Sequence, residues 1–300
     1  MGGWRTVLVS KSCRLTTKNQ QLIYAPKDAS SVHLPLEDIS VIVIETNQAS
    51  MSTALLSACA EKNIVLFSCD NYHIPNGIFT PFHQHSRLSH VAHLQQRTKL
   101  PLKKKLWQKI VIQKITNQAE LLKILKKDDF KVSVLKDKVK SGDTQNVEAL
   151  AARHYWKILF KDFKRQRESD DARNIALNYG YALIRGVVAR SLVSYGLLPT
   201  FGIFHNSELN AYNLADDIIE PLRPLVDMVV KQLEHEELLS SELTTQLKSA
   251  LLSVLDMQMY LAEQKVTLLS ICERMAYSFV NALREEDATL LELPRMISDI

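Results

Sequence analysis

The sequence has little glycine and lacks the glycine-rich loops that bind nucleotides. Glycine accounts for 8 of the 300 residues, which is well below average usage. Neither the G-x-x-x-x-G-K-[ST] pattern nor the G-x-G-x-x-G pattern occurs, so the common phosphate-binding loops are excluded. Collagen-like repeats and long flexible linkers are excluded by the same scarcity. The chemistry of this protein is therefore not expected to draw on a nucleotide held in such a loop.

Long apolar runs and paired cysteines are also missing. No stretch reaches the ~18 apolar residues that a membrane-spanning helix needs. The four cysteines, Cys13, Cys59, Cys69 and Cys272, are scattered and form no C-x-x-C pair. Scattered cysteines are typical of free thiols in a reducing compartment. We therefore expect a soluble cytoplasmic protein that makes no membrane contact.

Charge is unevenly distributed along the chain. The net charge is only +4, but residues 97–140 carry fourteen basic and four acidic side chains, and residues 231–300 have a net charge of −6. A basic block of this kind favours a polyanionic partner such as nucleic acid, although a solvated helix face is the alternative. Further basic residues follow at roughly helical spacing: Lys157, Lys161, Lys164, Arg165, Arg167, Arg173, Arg185 and Arg190.

The first 75 residues are rich in short strand patterns. Alternating or β-branched runs predict strands at 6–10, 14–17, 21–24, 32–34, 39–45 and 64–67. The one helical stretch is 52–62, with Ser52 as a candidate N-cap. We expect residues 1–75 to form a small β domain.

A cluster of turn-forming residues then separates this region from a helical one. Pro75, Asn76-Gly77 and Pro81 predict a linker, which we place at 76–85. Beyond it, apolar residues at spacings of three and four predict helices at 86–99, 102–125, 147–165, 172–194, 214–231, 241–255 and 264–284. The predicted fold class is α+β, with a small N-terminal β-sheet-rich domain followed by a larger all-α domain at 86–300.

Several histidines could in principle bind metal or phosphate. His83, His85, His90 and His93 lie close together, but their spacing matches no zinc pattern with cysteine. We interpret this cluster as structural or exposed to solvent. His154 lies in a basic helix and could contact phosphate, with a structural role as the alternative.

A histidine followed by closely spaced carboxylates is more informative. His205 precedes a predicted helix in which Asp217 and Glu220, three residues apart, share a face. Asn213 is a candidate cap for this helix, and Pro221 should bend or break it. Carboxylates combined with imidazole suit Mg²⁺ or Mn²⁺ acting on phosphate oxygens.

Glu148 is a third candidate ligand. It lies near the start of an otherwise apolar helix, where burial of a carboxylate is costly unless it is paired or bound to metal. Taken alone, each of Glu148, His205 and Glu220 is better explained as a structural residue than as a catalytic one.

Together these segments resemble the integrase family of the CRISPR adaptation system, the larger protein of the spacer-acquisition complex. The likeness spans 39–45, 51–67, the helix from Glu148 to Trp156, His205-Asn206, and the specific run N-L-A-D-D-I-I-E-P-L-R-P at 213–224. It is greatest to the subtype II forms that accompany a large RNA-guided nuclease.

The resemblance implies a site, a cofactor and partners. Glu148, His205 and Glu220 match the family's metal ligands for Mg²⁺ or Mn²⁺, and Asp217 matches a further acidic position of the active site. Relatives often have aspartate where Glu220 stands. The resemblance also implies a homodimer formed through residues 1–75, and two such dimers around a dimer of the small ferredoxin-like adaptation protein, giving a heterohexamer. Double-stranded DNA, as prespacer and CRISPR repeat, is the implied substrate.

The expected activity is metal-dependent integration of short DNA fragments by transesterification. Two alternatives stay open. A stand-alone endonuclease would use the same ligands with water as the nucleophile. A non-catalytic DNA-binding scaffold would use the carboxylates only for structure.

Overall fold

The computed structural model describes residues 3–71, 75–81, 87–166 and 168–297. Strands dominate its first part and helices the remainder, so the predicted α+β fold class is confirmed. The strands are β1 Arg5–Val9, β2 Cys13–Lys18, β3 Gln21–Pro26, β4 Val32–Pro35, β5 Ile39–Ile44, β6 Ala49–Met51, β7 Val65–Cys69, β8 Pro75–Phe79, β9 Gln258–Leu261 and β10 Gln264–Thr267.

Two four-stranded sheets form the N-terminal part. One has the order β1-β5-β7-β8 and the other the order β4-β3-β2-β6. Strand β5 pairs in parallel with both β1 and β7. All six of its residues are buried, as expected for a parallel strand covered on both faces. The continuous apolar run that predicted this strand therefore reflects its central place in the sheet.

One helix, α1 (Thr53–Glu61), packs on these sheets. The Ser52 side chain accepts a hydrogen bond from the backbone N–H of Leu55 at 3.2 Å, so the predicted N-cap is confirmed. Leu55 and Cys59 on its inner face are fully buried. They close a small core beneath the strands.

The predicted linker begins inside the first sheet. Strand β8, Pro75–Phe79, pairs antiparallel with β7 at the edge of the sheet. Proline is compatible with the first residue of an edge strand because its missing N–H is not needed there. Residues 82–85 of the predicted linker, with His83 and His85, lie outside the described residues, as does Ser86. His90 and His93 are exposed on the next helix, as expected.

The helices of the second part surround one long central helix, α3. They are α2 Leu88–Arg97, α3 Leu100–Ile124, α4 Phe130–Ser133, α5 Val147–Leu159, α6 Ala172–Ser194, α7 Asn213–Ile218, α8 Arg223–His235, α9 Thr245–Leu252 and α10 Leu268–Arg284. Among the described residues, none of these helices combines the length and the apolar character needed to cross a bilayer.

The prediction that the second part is entirely helical is wrong at one place. Residues 264–267 form strand β10, which pairs antiparallel with β9, whereas we expected a helix to start at 264. The turn between the strands uses Ala262 and Glu263, both with positive φ. Because neither is a usual turn residue, the local sequence gives no hairpin signal.

The predicted helix at 214–231 is interrupted, as Pro221 indicated. Helix α7 ends at Ile218, a 3₁₀ turn follows at Glu220–Leu222, and α8 begins at Arg223. The prediction that Asn213 caps this helix is wrong. Its side chain instead bonds the backbone N–H and C=O of Ser207, which fixes the preceding loop against α7.

Helix α6 joins the two parts of the molecule. A Cβ on its Gly186 would lie 2.1 Å from the Phe67 ring of β7, so the helix can approach the sheet only with glycine there. Nearby, the buried ammonium of Lys248 on α9 is ion-paired with Glu45 after β5. The sheet and the helices therefore share one continuous core.

Candidate active site

Glu148 lies in the first turn of α5. The buried carboxylate of Asp143 accepts hydrogen bonds from the backbone N–H groups of Val147 at 2.8 Å and Glu148 at 3.0 Å. These bonds satisfy donors that a helix start leaves without intrahelical partners. The Glu148 side chain remains 25% exposed. Its carboxylate is thus fixed at a rigid helix end with one side open to solvent.

Lys114, from the middle of α3, brings Glu148 and Glu220 together. Its ammonium is ion-paired with Oε1 of Glu148 and with Oε2 of Glu220. Only 7% of Lys114 is exposed. Burial alone would lower the pKa of Lys114, but Glu220 and Glu148 outweigh burial and hold that pKa above its ordinary value. A full positive charge therefore lies between the two carboxylates.

Glu220 is held from two sides. Arg223 donates from Nε to its Oε1 at 2.8 Å. Burial alone would raise the pKa of Glu220, but Arg223 and Lys114 outweigh burial and lower it to about 2. The second oxygen, Oε2, is buried and contacts the ammonium of Lys114 as its one partner among the described residues. Glu220 is thus an ionised carboxylate with one oxygen held by Arg223 and the other by Lys114.

Helix α3 also fixes the turn that carries Glu220. The fully buried side-chain amide of Asn117, three residues beyond Lys114, donates to the carbonyl oxygen of Pro221 at 2.7 Å and to that of Pro294 at 3.0 Å. These bonds satisfy a carbonyl that the break at Pro221 leaves outside a regular helix. The break predicted from the sequence therefore serves to place Glu220 against α3.

His205 is positioned by Asp217. The fully buried carboxylate of Asp217 accepts hydrogen bonds from the backbone N–H groups of Ile203, Phe204 and His205 at 2.7–3.1 Å. It also contacts His205 Nδ1 at 2.7 Å. The hydrogen bond that Nδ1 makes to the Asp217 carboxylate raises the pKa of His205 above its ordinary value, although burial opposes it. Because Nδ1 is engaged, Nε2 is the ring nitrogen that can face a ligand.

The loop before His205 depends on Gly202. A Cβ at this position would lie 2.1 Å from the carbonyl oxygen of His205 and 2.9 Å from Oδ2 of Asp217. Only glycine lets the backbone turn this tightly around the Asp217 carboxylate.

Aromatic contacts attach the histidine loop to α3. The ring of Phe204 stacks on Trp107 with centroids 4.2 Å apart, and His205 meets Trp107 edge-on at 5.9 Å. Trp107 lies two helical turns before Lys114. One helix therefore supports both the histidine loop and the carboxylate pair, and Glu220 is close enough to contribute to the raised pKa of His205.

The four residues predicted for the site differ in how the structure places them. Glu148 and Glu220 both contact the ammonium of Lys114. His205 lies on the adjoining loop, and Asp217 contacts Nδ1 of its imidazole. Within the described residues, no three His, Cys, Asp or Glu side chains gather closely enough to hold a metal ion. The donor chemistry nevertheless suits Mg²⁺ or Mn²⁺, and Oε2 of Glu220, whose one partner among the described residues is the Lys114 ammonium, is an oxygen that such an ion would use. Metal binding stays a prediction.

A cavity of about 540 Å³ opens beside His205. Three arginines line it, Arg165, Arg185 and Arg223, together with Tyr181. Guanidinium groups are well suited to phosphate because of their planar, multiple N–H donors. Its guanidinium groups therefore suit phosphate, while the carboxylate of Asp216, which also lines the cavity, is ion-paired with Arg185.

A buried network lies behind this cavity. The hydroxyls of Tyr155 and Tyr181 donate to the carboxylate of Asp227, the former at 2.6 Å. Burial raises the pKa of Asp227 to about 6, against the opposing effect of the two tyrosine hydrogen bonds. Arg223 lies over the ring of Tyr181, 4.5 Å from its centroid. The network thus supports the guanidinium that holds Glu220.

The basic residues that follow the basic block have different surroundings. Arg190 is buried and paired with Glu273, so a DNA contact by this residue is excluded. Arg173 is half-buried and paired with Asp171 and Glu234, and a DNA contact there stays a prediction. Arg167 lies outside the described residues. Exposed lysines of the basic block are Lys99, Lys104, Lys105, Lys123, Lys126, Lys131, Lys138 and Lys140. These eight can contact phosphates directly.

Comparison with known proteins agrees with this architecture. A family model described as CRISPR associated protein Cas1 matches residues 6–265. The chain is 40% identical to a CRISPR-associated endonuclease Cas1 of Neisseria meningitidis over 98% of this chain and 97% of that protein.

Two solved structures share the fold at low sequence identity. A casposase bound to integration product has a TM-score of 0.78 and 17% identity, covering 95% of this chain and 93% of its own. A chain of a Cas6-RT-Cas1–Cas2 complex has a TM-score of 0.75 and 19% identity, covering 99% of this chain and 36% of its own. The family match and the near full-length relative together show that this chain belongs to the CRISPR-associated Cas1 family.

Proposed function

We propose that this chain is a CRISPR DNA integrase that joins short DNA fragments to a repeat by metal-dependent transesterification. One observation carries the proposal: two carboxylates, Glu148 and Glu220, converge on a single cation beside His205 and an arginine-lined cavity. The Neisseria relative, named an endonuclease, supports chemistry on phosphodiesters. The casposase, whose structure holds an integration product, shares the fold.

Each residue of the proposed site has its own role in the reaction. Glu148, Glu220 and Nε2 of His205 would hold a Mg²⁺ or Mn²⁺ ion, which polarises a phosphodiester and eases deprotonation of a hydroxyl. Asp217 fixes the orientation of His205, and Arg223 keeps Glu220 ionised. Arg165 and Arg185 bind phosphate oxygens in the adjoining cavity.

The bond changes balance without an energy source. The 3′-oxygen of the incoming fragment bonds to phosphorus in the repeat, and one phosphorus–oxygen bond of the repeat breaks. The proton lost by the attacking hydroxyl is matched by the proton that the leaving 3′-oxygen gains. Since one phosphodiester replaces another, no nucleotide-binding loop is needed, which agrees with the absence of such motifs.

We further propose the partners that the family resemblance implies. These are a second copy of this chain, bound through residues 1–75, and a dimer of the small ferredoxin-like adaptation protein, together forming a heterohexamer on double-stranded DNA. The similarity to a chain in a Cas6-RT-Cas1–Cas2 complex supports this assembly.

The test is a joining assay with a labelled DNA fragment and a repeat-bearing plasmid. His205→Ala should retain DNA binding and lose joining, and removal of divalent metal should abolish joining by the unaltered protein. Full joining in either case would refute the assigned site. His235→Ala, which removes an exposed imidazole at the end of α8, is the matched control.

The same assay separates the alternatives. The endonuclease name of the Neisseria relative favours hydrolysis as a second activity of the same site. Joined strands identify an integrase, whereas free 5′-phosphate ends without joined strands identify a nuclease. A scaffold would keep every activity when Glu148 is changed to alanine.

A further inference from the structure

Lys114 occupies an unusual position for a lysine of the basic block. Its ammonium contacts Glu148 and Glu220 at once, and only 7% of the residue is exposed. Its neighbours on the inner face of α3, Val111 and Ile115, are fully buried. Lys114 is thus directed into the carboxylate pair and away from any surface that could hold DNA.

The two carboxylates need a positive charge between them. Two ionised carboxylates that share a small buried volume repel each other and lose solvation, so one of them would otherwise take up a proton. Arg223 cannot fill this place because it bonds Oε1 of Glu220 from the other side. Lys114 is the described cation that contacts both carboxylates.

The contact with Glu220 uses an oxygen that has no other partner among the described residues. Oε2 of Glu220 contacts the Lys114 ammonium, whereas Oε1 is bonded by Arg223. A divalent ion placed here would gain that oxygen as a ligand and would be repelled by the ammonium. The same two oxygens cannot serve both cations fully.

We propose that Lys114 is a positioning residue that acts as a built-in cation, holding Glu148 and Glu220 in ligand geometry in the metal-free protein and competing with the divalent ion for them. The inference rests on the proposed function, because it takes the two carboxylates to be metal ligands. Lys114 thereby sets how tightly the site binds its metal, and it prevents the pair from separating when no metal is bound.

The test is Mn²⁺ binding to the purified protein, measured by isothermal titration calorimetry and by electron paramagnetic resonance of free Mn²⁺, without DNA. Lys114→Met should bind Mn²⁺ at least tenfold more tightly than the unaltered protein. Without metal the variant should melt at a lower temperature, and saturating Mn²⁺ should raise its Tm by more than it raises that of the unaltered protein. If Lys114 were only structural, replacing it with Met would lower Tm both without metal and with saturating Mn²⁺, and it would not tighten Mn²⁺ binding.

Two further variants complete the design. Lys114→Arg keeps the positive charge and should bind Mn²⁺ no more tightly than the unaltered protein. Lys109→Met removes another half-buried lysine of α3, one that donates to the carbonyl oxygens of Ala288 and Thr289, and it should leave Mn²⁺ affinity unchanged.

The outcomes distinguish this inference from the proposed function. If the unaltered protein binds Mn²⁺ and Lys114→Met binds it equally or more weakly, the competing role is overturned while the metal site stands. If neither protein binds Mn²⁺ or Mg²⁺, both the inference and the metal-dependent function fail. A Lys114→Met protein that does not fold even with Mn²⁺ would show a structural role and overturn the inference.

Discussion

His205 and Asp217 form a fixed pair in which Nδ1 of the imidazole lies 2.7 Å from a carboxylate oxygen. The same carboxylate accepts three backbone N–H groups from the loop that carries the histidine. Ring orientation and loop shape are therefore set by one buried residue.

The first prediction concerns this pair. Asp217→Asn should lower joining about 10–100-fold, the usual effect of losing the partner that orients a metal-bound histidine. In the metal-free variant the pKa of His205, followed by NMR, should fall, because the hydrogen bond that raises it is weakened. Asp216→Asn should cause a smaller decrease of that pKa, since Asp216 contributes less. An unchanged His205 titration in Asp217→Asn would contradict the account.

The second prediction concerns the exposed lysines of α3. Replacing Lys104 and Lys105 with alanine should weaken binding to DNA of any sequence and reduce the slope of log affinity against log salt by about one per lysine. Lys62→Ala, an exposed lysine on the N-terminal part, is the matched control and should leave the slope unchanged. Fluorescence anisotropy at several salt concentrations measures both. Equal slopes for the two variants would show that Lys104 and Lys105 do not contact DNA.

The third prediction concerns the buried Asp227. Its pKa is about 6 in the folded chain, compared with an ordinary value of 3.8. Between these values the folded protein keeps a proton that the unfolded chain has released, so this group lowers the unfolding free energy as pH rises from about 4 to about 6. The loss is on the order of 3 kcal/mol.

Urea denaturation across that pH range tests the point. The unfolding free energy of Asp227→Asn should rise relative to that of the unaltered protein as pH increases from 4 to 7. Tyr155→Phe removes a hydrogen bond that favours the ionised carboxyl. The pKa of Asp227 should therefore be higher in this variant, and its unfolding free energy should continue to fall to a higher pH. A constant difference between Asp227→Asn and the unaltered protein would contradict this account.

The fourth prediction concerns the ion pair between the two parts of the molecule. Lys248→Met leaves Glu45 charged in a buried place and should destabilise the chain by about 3–5 kcal/mol. The double change Glu45→Gln with Lys248→Met should recover much of that loss. Thermal denaturation of the single and double variants measures it. A double variant as unstable as the single one would show that the charge is not the cause.

Sequence patterns predicted most of the fold because burial sets local periodicity. The run of β-branched apolar residues at 41–44 marks a strand covered on both faces, Ser52 marks a helix start, and Pro221 marks a break. The hairpin at 258–267 was not predictable because Ala262 and Glu263 adopt positive φ without glycine or asparagine. The conformation of that turn therefore depends on tertiary packing and not on the local sequence.

The site could be predicted only in part. Glu148, His205 and Glu220 stood out as ionisable residues in apolar or proline-containing segments. Lys114 did not, since a lysine among many lysines on one helix is expected to face solvent. Only the fold shows that α3 turns this one residue inward onto two carboxylates from other helices.

The most direct measurement of the central claim is the anomalous scattering of Mn²⁺ in crystals of the protein. The account predicts one peak bounded by the carboxylates of Glu148 and Glu220 and by Nε2 of His205, with the ammonium of Lys114 moved away from its present contacts. A peak elsewhere, or Lys114 still bridging both carboxylates at saturating Mn²⁺, would contradict it.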